Sequence, residues 1–174
     1  MLDVMIDFET LDNVPTSQIL TFGAVKFDPT NPALPMEEFY VRCDLPSQAA
    51  IGLTRGDETV AWWGAQSEEA RKEAFAREDR MNIEEVIEKF SQFFNGATRI
   101  WSHGAVFDVV ILSEIYRALG KETPWKFWNA RDTRTLFDIL PPPKRSTLKH
   151  HALEDAKWQA QAVQRILSEI GWKP

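Results

Sequence analysis

The chain has 174 residues, 44% hydrophobic and 26% charged, enough for one domain with a full core and ordinary for a globular fold. A net charge of −6 argues against a protein that coats nucleic acid by charge alone, but not against an enzyme that cuts it, since acids that ligate cations recover part of that charge. No apolar run approaches the roughly 20 residues of a membrane span, and the single Cys43 excludes an internal disulfide and a zinc cluster. The chain enters directly into a strand pattern without a leader-like stretch, so a cytoplasmic protein with no membrane partner is expected.

The first stretch, Leu2 to Thr10, alternates with a period of two. Leu2, Val4, Ile6 and Phe8 fall on one face; Asp3, Met5, Asp7 and Glu9 fall on the other. Asp7 and Glu9 thus project from the same side near the strand end. Two carboxylates that close repel unless a cation lies between them. The stretch reads either as a divalent-metal site or as a strand with an acidic exposed end. Asp12 to Thr16 is a turn, Ile19 to Asp28 a second strand with Phe22, Val25 and Phe27 in the core, and Pro29 to Pro35 a hairpin loop. Glu38 to Cys43 alternates again, which predicts an antiparallel meander of three strands.

Helical patterns follow. Ser67 caps a helix to Phe75, and Asn82 caps one to Phe94 whose Ile83, Val86, Ile87, Phe90 and Phe94 trace one face. Arg99 to Ser102 is a short strand. Ala105 to Leu119 is a helix with Phe107, Val110, Ile111, Ile115 and Leu119 inward, stopped by Gly120. Trp128 to Arg131 is a further short strand and Thr133 to Leu140 a short helix, ended by Pro141-Pro142-Pro143. The last helix runs from Ala152 to Ile170, with Ala156, Val163, Leu167 and Ile170 toward the core. The pattern predicts an α/β fold: a mixed five-stranded sheet flanked by helices, in one domain spanning residues 1–174. No glycine-rich phosphate loop is present.

Further acids stand at element boundaries. Asp108 lies early in a helix that follows a strand, an edge where α/β sites form, or else it merely offsets the helix dipole. His103-Gly104 gives a tight entry to that helix. Asp155 lies near the start of the last helix, five positions after His150. Asp7, Glu9, Asp108 and Asp155 together offer four hard oxygen ligands, and His150 a group able to take a proton near neutral pH. Lys144-Arg145 and Lys149-His150-His151 are basic clusters able to meet phosphates. Of the seven tryptophans, Trp62 and Trp63 are candidates for stacking on a base; the others read as packing.

In combination, Asp7-Phe8-Glu9-Thr10, His103-Gly104-Ala105-Val106-Phe107-Asp108 and His150-His151-Ala152-Leu153-Glu154-Asp155 resemble the three motifs of the DEDDh family of 3′–5′ exonucleases, the ribonuclease-T and polymerase-proofreading type. The resemblance covers nearly the whole chain. Trp62-Trp63 followed by Gln66-Ser67-Glu68-Glu69-Ala70-Arg71 resembles a narrower phage and bacterial group with exodeoxyribonuclease-like and exoribonuclease-like members. Two departures are Gly104, where many relatives have Asn, and the second histidine, His151.

The resemblance implies a ribonuclease-H-like fold and release of 5′-mononucleotides from single-stranded RNA or DNA 3′ ends. It implies two divalent ions, Mg²⁺ or Mn²⁺, at Asp7, Glu9, Asp108 and Asp155, with Asp7 shared between them, and His150 as general base. The backbone of Thr10 and the side chain of Leu11 would meet the terminal nucleotide, with His103, Trp62 and Trp63 as further substrate-side candidates. The resemblance also leaves room for a homodimer. Three other readings are distinguishable. An endonuclease of the same fold would cut a circular strand, a non-catalytic adaptor would bind without releasing nucleotides, and a calcium-stabilised domain would gain only stability from metal. The presence of all five catalytic-type residues favours the exonuclease.

Overall fold

The computed structural model describes residues 1–145 and 150–173; Lys149, named above, lies outside the described residues. The chain opens with β1 (Leu2–Thr10), β2 (Ile19–Phe27) and β3 (Glu37–Cys43), the expected antiparallel meander. It continues through α1 (Leu45–Ala50), α2 (Asp57–Gly64), α3 (Glu68–Phe75), β4 (Arg80–Met81), α4 (Ile83–Phe94), β5 (Ala97–Ser102), α5 (Asp108–Ala118), β6 (Ala130–Asp132), α6 (Thr133–Ile139) and α7 (Ala152–Glu169). Among the described residues the strands form one mixed sheet in the order β4-β3-β2-β1-β5-β6, with β1–β5, β5–β6 and β3–β4 parallel.

The α/β sheet flanked by helices is as expected, but it has six strands rather than five. The sixth, β4, is two residues long, too short to show alternation. It is fixed by tertiary contacts: the Arg80 guanidinium donates to the carbonyls of Leu20, Cys43 and Ala74 at 3.1, 2.7 and 2.9 Å.

Both faces of the sheet are covered, so the central strands are buried on both sides. Val4, Ile6 and Phe8 of β1 pack with Phe22, Ile87, Phe90, Ile111 and Ile115 under α4 and α5. On the opposite face Met5, Val25, Phe27 and Trp101 pack against Ala156, Ala160, Val163 and Leu167 of α7. Small residues let α7 approach closely, and the approach leaves no room for a side chain at Gly23, the β2 partner of Asp7. A methyl group on Gly23 would lie 2.3 Å from the Ala152 carbonyl carbon and the Leu153 nitrogen. The absence of a side chain there lets the start of α7 sit beside the end of β1.

Several features depart from expectation. The helix after β5 begins at Asp108, not Ala105, because Gly104 takes φ +117° and the Asp132 carboxylate accepts from the amides of Gly104 (3.2 Å) and Ala105 (2.8 Å). Ile170 is 46% exposed as the C-cap of α7, and Val110 is 38% exposed; Val109 and Leu112 fill the inward face of α5 instead. α1 and α2 were not anticipated. α1 is six residues long, capped by Asp44, whose carboxylate accepts from the Ser47 amide at 2.8 Å. α2 has no side-chain cap and an indistinct apolar face. Among the described residues no helix is long and apolar enough to cross a membrane.

Candidate active site

Three acids share one face of β1, and their surroundings separate them. Asp3 is buried but paired: Arg99 Nε lies 3.0 Å away and Trp101 Nε1 donates to it at 2.8 Å. Asp7 and Glu9, at the other end, face further acids. Ligand oxygens of Asp7, Glu9 and Asp155 all lie within 4.8 Å of one another. Asp108, the first residue of α5, is buried and near enough for its charge to raise the carboxyl pKa values of both Asp7 and Glu9. The sheet thus brings together the four acids from three separate elements. A register irregularity between Glu9 and Thr10 ends the regular β1–β2 ladder at this point.

Three of these acids, Asp7, Glu9 and Asp108, are held against their electrostatic preference. Burial first, then the Asp108 carboxylate, pushes Glu9 from its usual 4.5 to about 8. Burial pushes Asp108 to about 7, although the Ser102 hydroxyl and the Phe8 backbone ease it downward. Asp7 is raised well above the usual range by burial, Asp108 and Glu9, with opposing help from Gln159, whose Nε2 donates to Asp7 Oδ1 at 2.8 Å. Hard carboxylate oxygens that repel one another at this spacing fit a divalent cation of the Mg²⁺ or Mn²⁺ type.

The two histidines part ways. His150 takes φ +65°, a conformation uncommon outside glycine, which puts its amide 3.2 Å from Asp155 Oδ2. Its ring lies edge-on to Trp62, centroids 5.3 Å apart, and to Trp63 at 6.3 Å. His151 is the N-cap of α7: its Nδ1 accepts from the Glu154 amide at 3.5 Å, and its ring stacks on Tyr40 at 5.1 Å. Cap and stack direct the second ring away from the acids.

A family model described as the 3′-5′ exoribonuclease Rv2179c-like domain matches residues 2–167. The chain belongs to this family. It is also 30% identical to the exodeoxyribonuclease of Enterobacteria phage T4 over 167 residues, covering 80% of this chain and 72% of the phage protein. Two solved structures share the fold. The nuclease domain of 3′hExo, a DEDDh family member bound to rAMP, aligns over 97% of this chain and 92% of its own with TM-score 0.60 at 17% identity. The RNase domain of the yeast Pop2 protein aligns over 96% and 77% with TM-score 0.56 at 11% identity. The protein is a 3′–5′ exonuclease acting on nucleic acid, with the ribonuclease-H-like fold of DEDDh nucleases.

Not every expected substrate contact reaches the surface of this exonuclease. Trp63 is 2% exposed; its Nε1 donates to the Thr10 carbonyl at 2.9 Å, so it braces the end of β1 and offers no open face to a base. Leu11 is likewise 2% exposed, packed with Leu20, Trp63, Ala70 and Ala74. Of the Thr10 backbone, the carbonyl is the group that Trp63 engages, while its side chain donates to the Asp12 carbonyl at 2.9 Å. His103 is half-buried, with Nδ1 2.8 Å from Thr133 Oγ1 and its ring against Phe137; burial pulls its pKa down. Trp62 differs: it is 45% exposed and borders His150.

Two residues at the site, Gln159 and Asp132, carried no sequence signal of their own, and a third, Arg145, takes a different partner from the one expected. Gln159 on α7 holds Asp7. Asp132 clamps the loop before Asp108 and also caps α6, accepting from the Arg134 amide at 2.9 Å. Arg145, expected to face phosphates, instead pairs inward with Asp155. A helical wheel of α7 could have found Gln159, which lies one turn beyond Asp155 on the buried side. The other two contacts depend on the tertiary fold.

The raised carboxyls set the pH dependence of stability. Glu9 and Asp108 bind protons more tightly folded than unfolded, so the folded chain holds more protons as pH rises from 4.5 toward about 8. Their contribution is therefore fully present at low pH and is lost through that window. In chelator, the thermal midpoint should fall as pH rises across it. Saturating Mn²⁺ should oppose the fall, because ligation requires ionised carboxylates. A chelator profile that rises through the window would contradict these assignments.

Proposed function

We propose that this exonuclease releases 5′-mononucleotides stepwise from the 3′ ends of single-stranded RNA or DNA. Two divalent cations, Mg²⁺ or Mn²⁺, would be held at Asp7, Glu9, Asp108 and Asp155. The observation that carries this reading is the convergence of four carboxylates at one sheet edge, three of them with oxygens within 4.8 Å. Asp7, Glu9 and Asp155 would hold one ion, and Asp108 would support the second together with Asp7. Bound there, the cations supply Lewis-acid neutralisation of charge building on the phosphate during in-line displacement.

The chain's own residues do the rest. Gln159 fixes the orientation of Asp7, and Asp132 fixes the loop that delivers Asp108. His150 accepts the proton of the attacking water. Trp62, exposed beside His150, offers a face on which the terminal base stacks, an interaction indifferent to base identity. The phage relative is named for DNA and the family for RNA, so both sugars are proposed as substrates. The homodimer for which the resemblance leaves room gains no support from the relatives.

Matched linear strands, one set ending in a free 3′-hydroxyl and one in a 3′-phosphate, test this reading together with a circular strand. With a 5′ label and Mn²⁺, the free-ended strands should shorten as a descending ladder, and the 3′-phosphate should block them. The circle should stay intact. Cutting of the circle at the linear rate would replace the exonuclease mechanism with an endonuclease.

A further inference from the structure

Arg145 sits within the acid cluster. It follows Pro141-Pro142-Pro143-Lys144, where a basic pair would ordinarily face water. Its guanidinium instead forms an ion pair with Asp155 Oδ1, the two side chains being 21% and 9% exposed. The Trp158 ring lies beside the guanidinium at 5.7 Å, a cation–π shelf that holds its plane. The charge also reaches Asp7 and Glu9, both of whose carboxyls it eases downward. The other oxygen of Asp155, Oδ2, accepts from the His150 amide at 3.2 Å. Both oxygens of Asp155 are therefore engaged by groups that precede α7.

That arrangement conflicts with ligation of a divalent ion. An ion such as Mg²⁺ needs a carboxylate oxygen at about 2.0–2.1 Å. A guanidinium on the same carboxylate would then face a doubly charged neighbour in a poorly hydrated site, where repulsion is weakly screened. One carboxylate cannot satisfy both cations well. Beyond the ion pair with Asp155, its charge also acts on Asp7 and Glu9, the acids that share ligand reach with Asp155.

We propose that Arg145 is the resident counter-cation of the acid cluster, holding Asp155 while no divalent ion is bound and leaving it when one binds. The proposal rests on the reading of the cluster as a divalent site. Metal affinity is then set by a competition inside the protein, and loss of the guanidinium tightens metal binding. Arg145 is accordingly a positioning residue whose effect is read in metal affinity.

The test is calorimetric titration of Mn²⁺ alone into the full chain, without nucleic acid, for wild type and for Arg145→Met, Arg145→Gln and Arg145→Lys. Met keeps a stem against Trp158, and Gln provides a second neutral variant should Met disturb folding. Both neutral variants should bind Mn²⁺ at least about tenfold more tightly than wild type, and Lys should stay within about threefold. In chelator the neutral variants should melt below wild type, and saturating Mn²⁺ should close that gap. Equal or weaker Mn²⁺ affinity in both neutral variants overturns the counter-cation while leaving the divalent site in place. Failure of wild type to bind Mn²⁺ at all overturns the divalent site and the counter-cation with it.

Discussion

Asp7→Asn removes nuclease activity, with turnover down by at least about a thousandfold, ~4 kcal/mol of barrier. The substitution is chosen for what it leaves intact. Asn keeps an oxygen for the amide of Gln159, which donates to Asp7 at 2.8 Å, so the α7 contact survives. It deletes the charge that Glu9 and Asp108 repel. The metal-free variant should therefore melt at or above wild type at neutral pH while losing the shared ligand of the proposed ions. Asp7→Ala is a harsher change, since it also leaves the Gln159 amide without its acceptor, and it should lose activity with a lower melting point. Turnover on a 5′-labelled strand and thermal unfolding in chelator check both variants. Retained activity in highly purified Asp7→Asn protein would remove the carboxylate cluster from the mechanism.

The second large effect separates two adjacent histidines. Loss of a general base costs about 10²–10⁴ in rate, so His150→Asn should lose at least about a hundredfold in turnover while still binding Mn²⁺. Asn is preferred to Ala because His150 holds φ +65°, which Asn tolerates better than other non-glycine residues. His151→Ala should lose less than about tenfold in turnover. Its cost falls on stability: the ring caps α7 through the Glu154 amide and stacks on Tyr40, and a lost cap is worth about 1 kcal/mol. Turnover at saturating Mn²⁺ and the urea midpoint of each variant measure the two costs separately. The reverse ranking in turnover would make His151 the base.

Local patterns predicted the elements whose residues repeat with a clear period. The alternation of Leu2 to Thr10 places Val4, Ile6 and Phe8 in one core and Met5 in another, and the apolar face of Ile83 to Phe94 is buried as its spacing requires. The acids were visible because three motifs occur together; each alone has an ordinary structural explanation. What escaped the sequence depends on distant partners. Arg80 to Met81 becomes a strand only because Arg80 donates to three carbonyls from elsewhere. Helix α5 starts late because Asp132, 24 positions after Asp108, holds the preceding amides. Trp62 and Trp63 are indistinguishable in sequence, yet one reaches the surface and the other supports Thr10. Arg145 reads as a solvent-facing charge until the fold brings Asp155 to it.

The central claim is that Asp7, Glu9 and Asp155 form a divalent-cation site that serves the nuclease. Anomalous scattering from crystals of the full chain soaked in Mn²⁺ tests it most directly. The account predicts a Mn²⁺ peak within coordination reach of these three carboxylates, lost in Asp7→Asn. A protein that cleaves with Mn²⁺ but shows its peak elsewhere, with these carboxylates unligated, would contradict it.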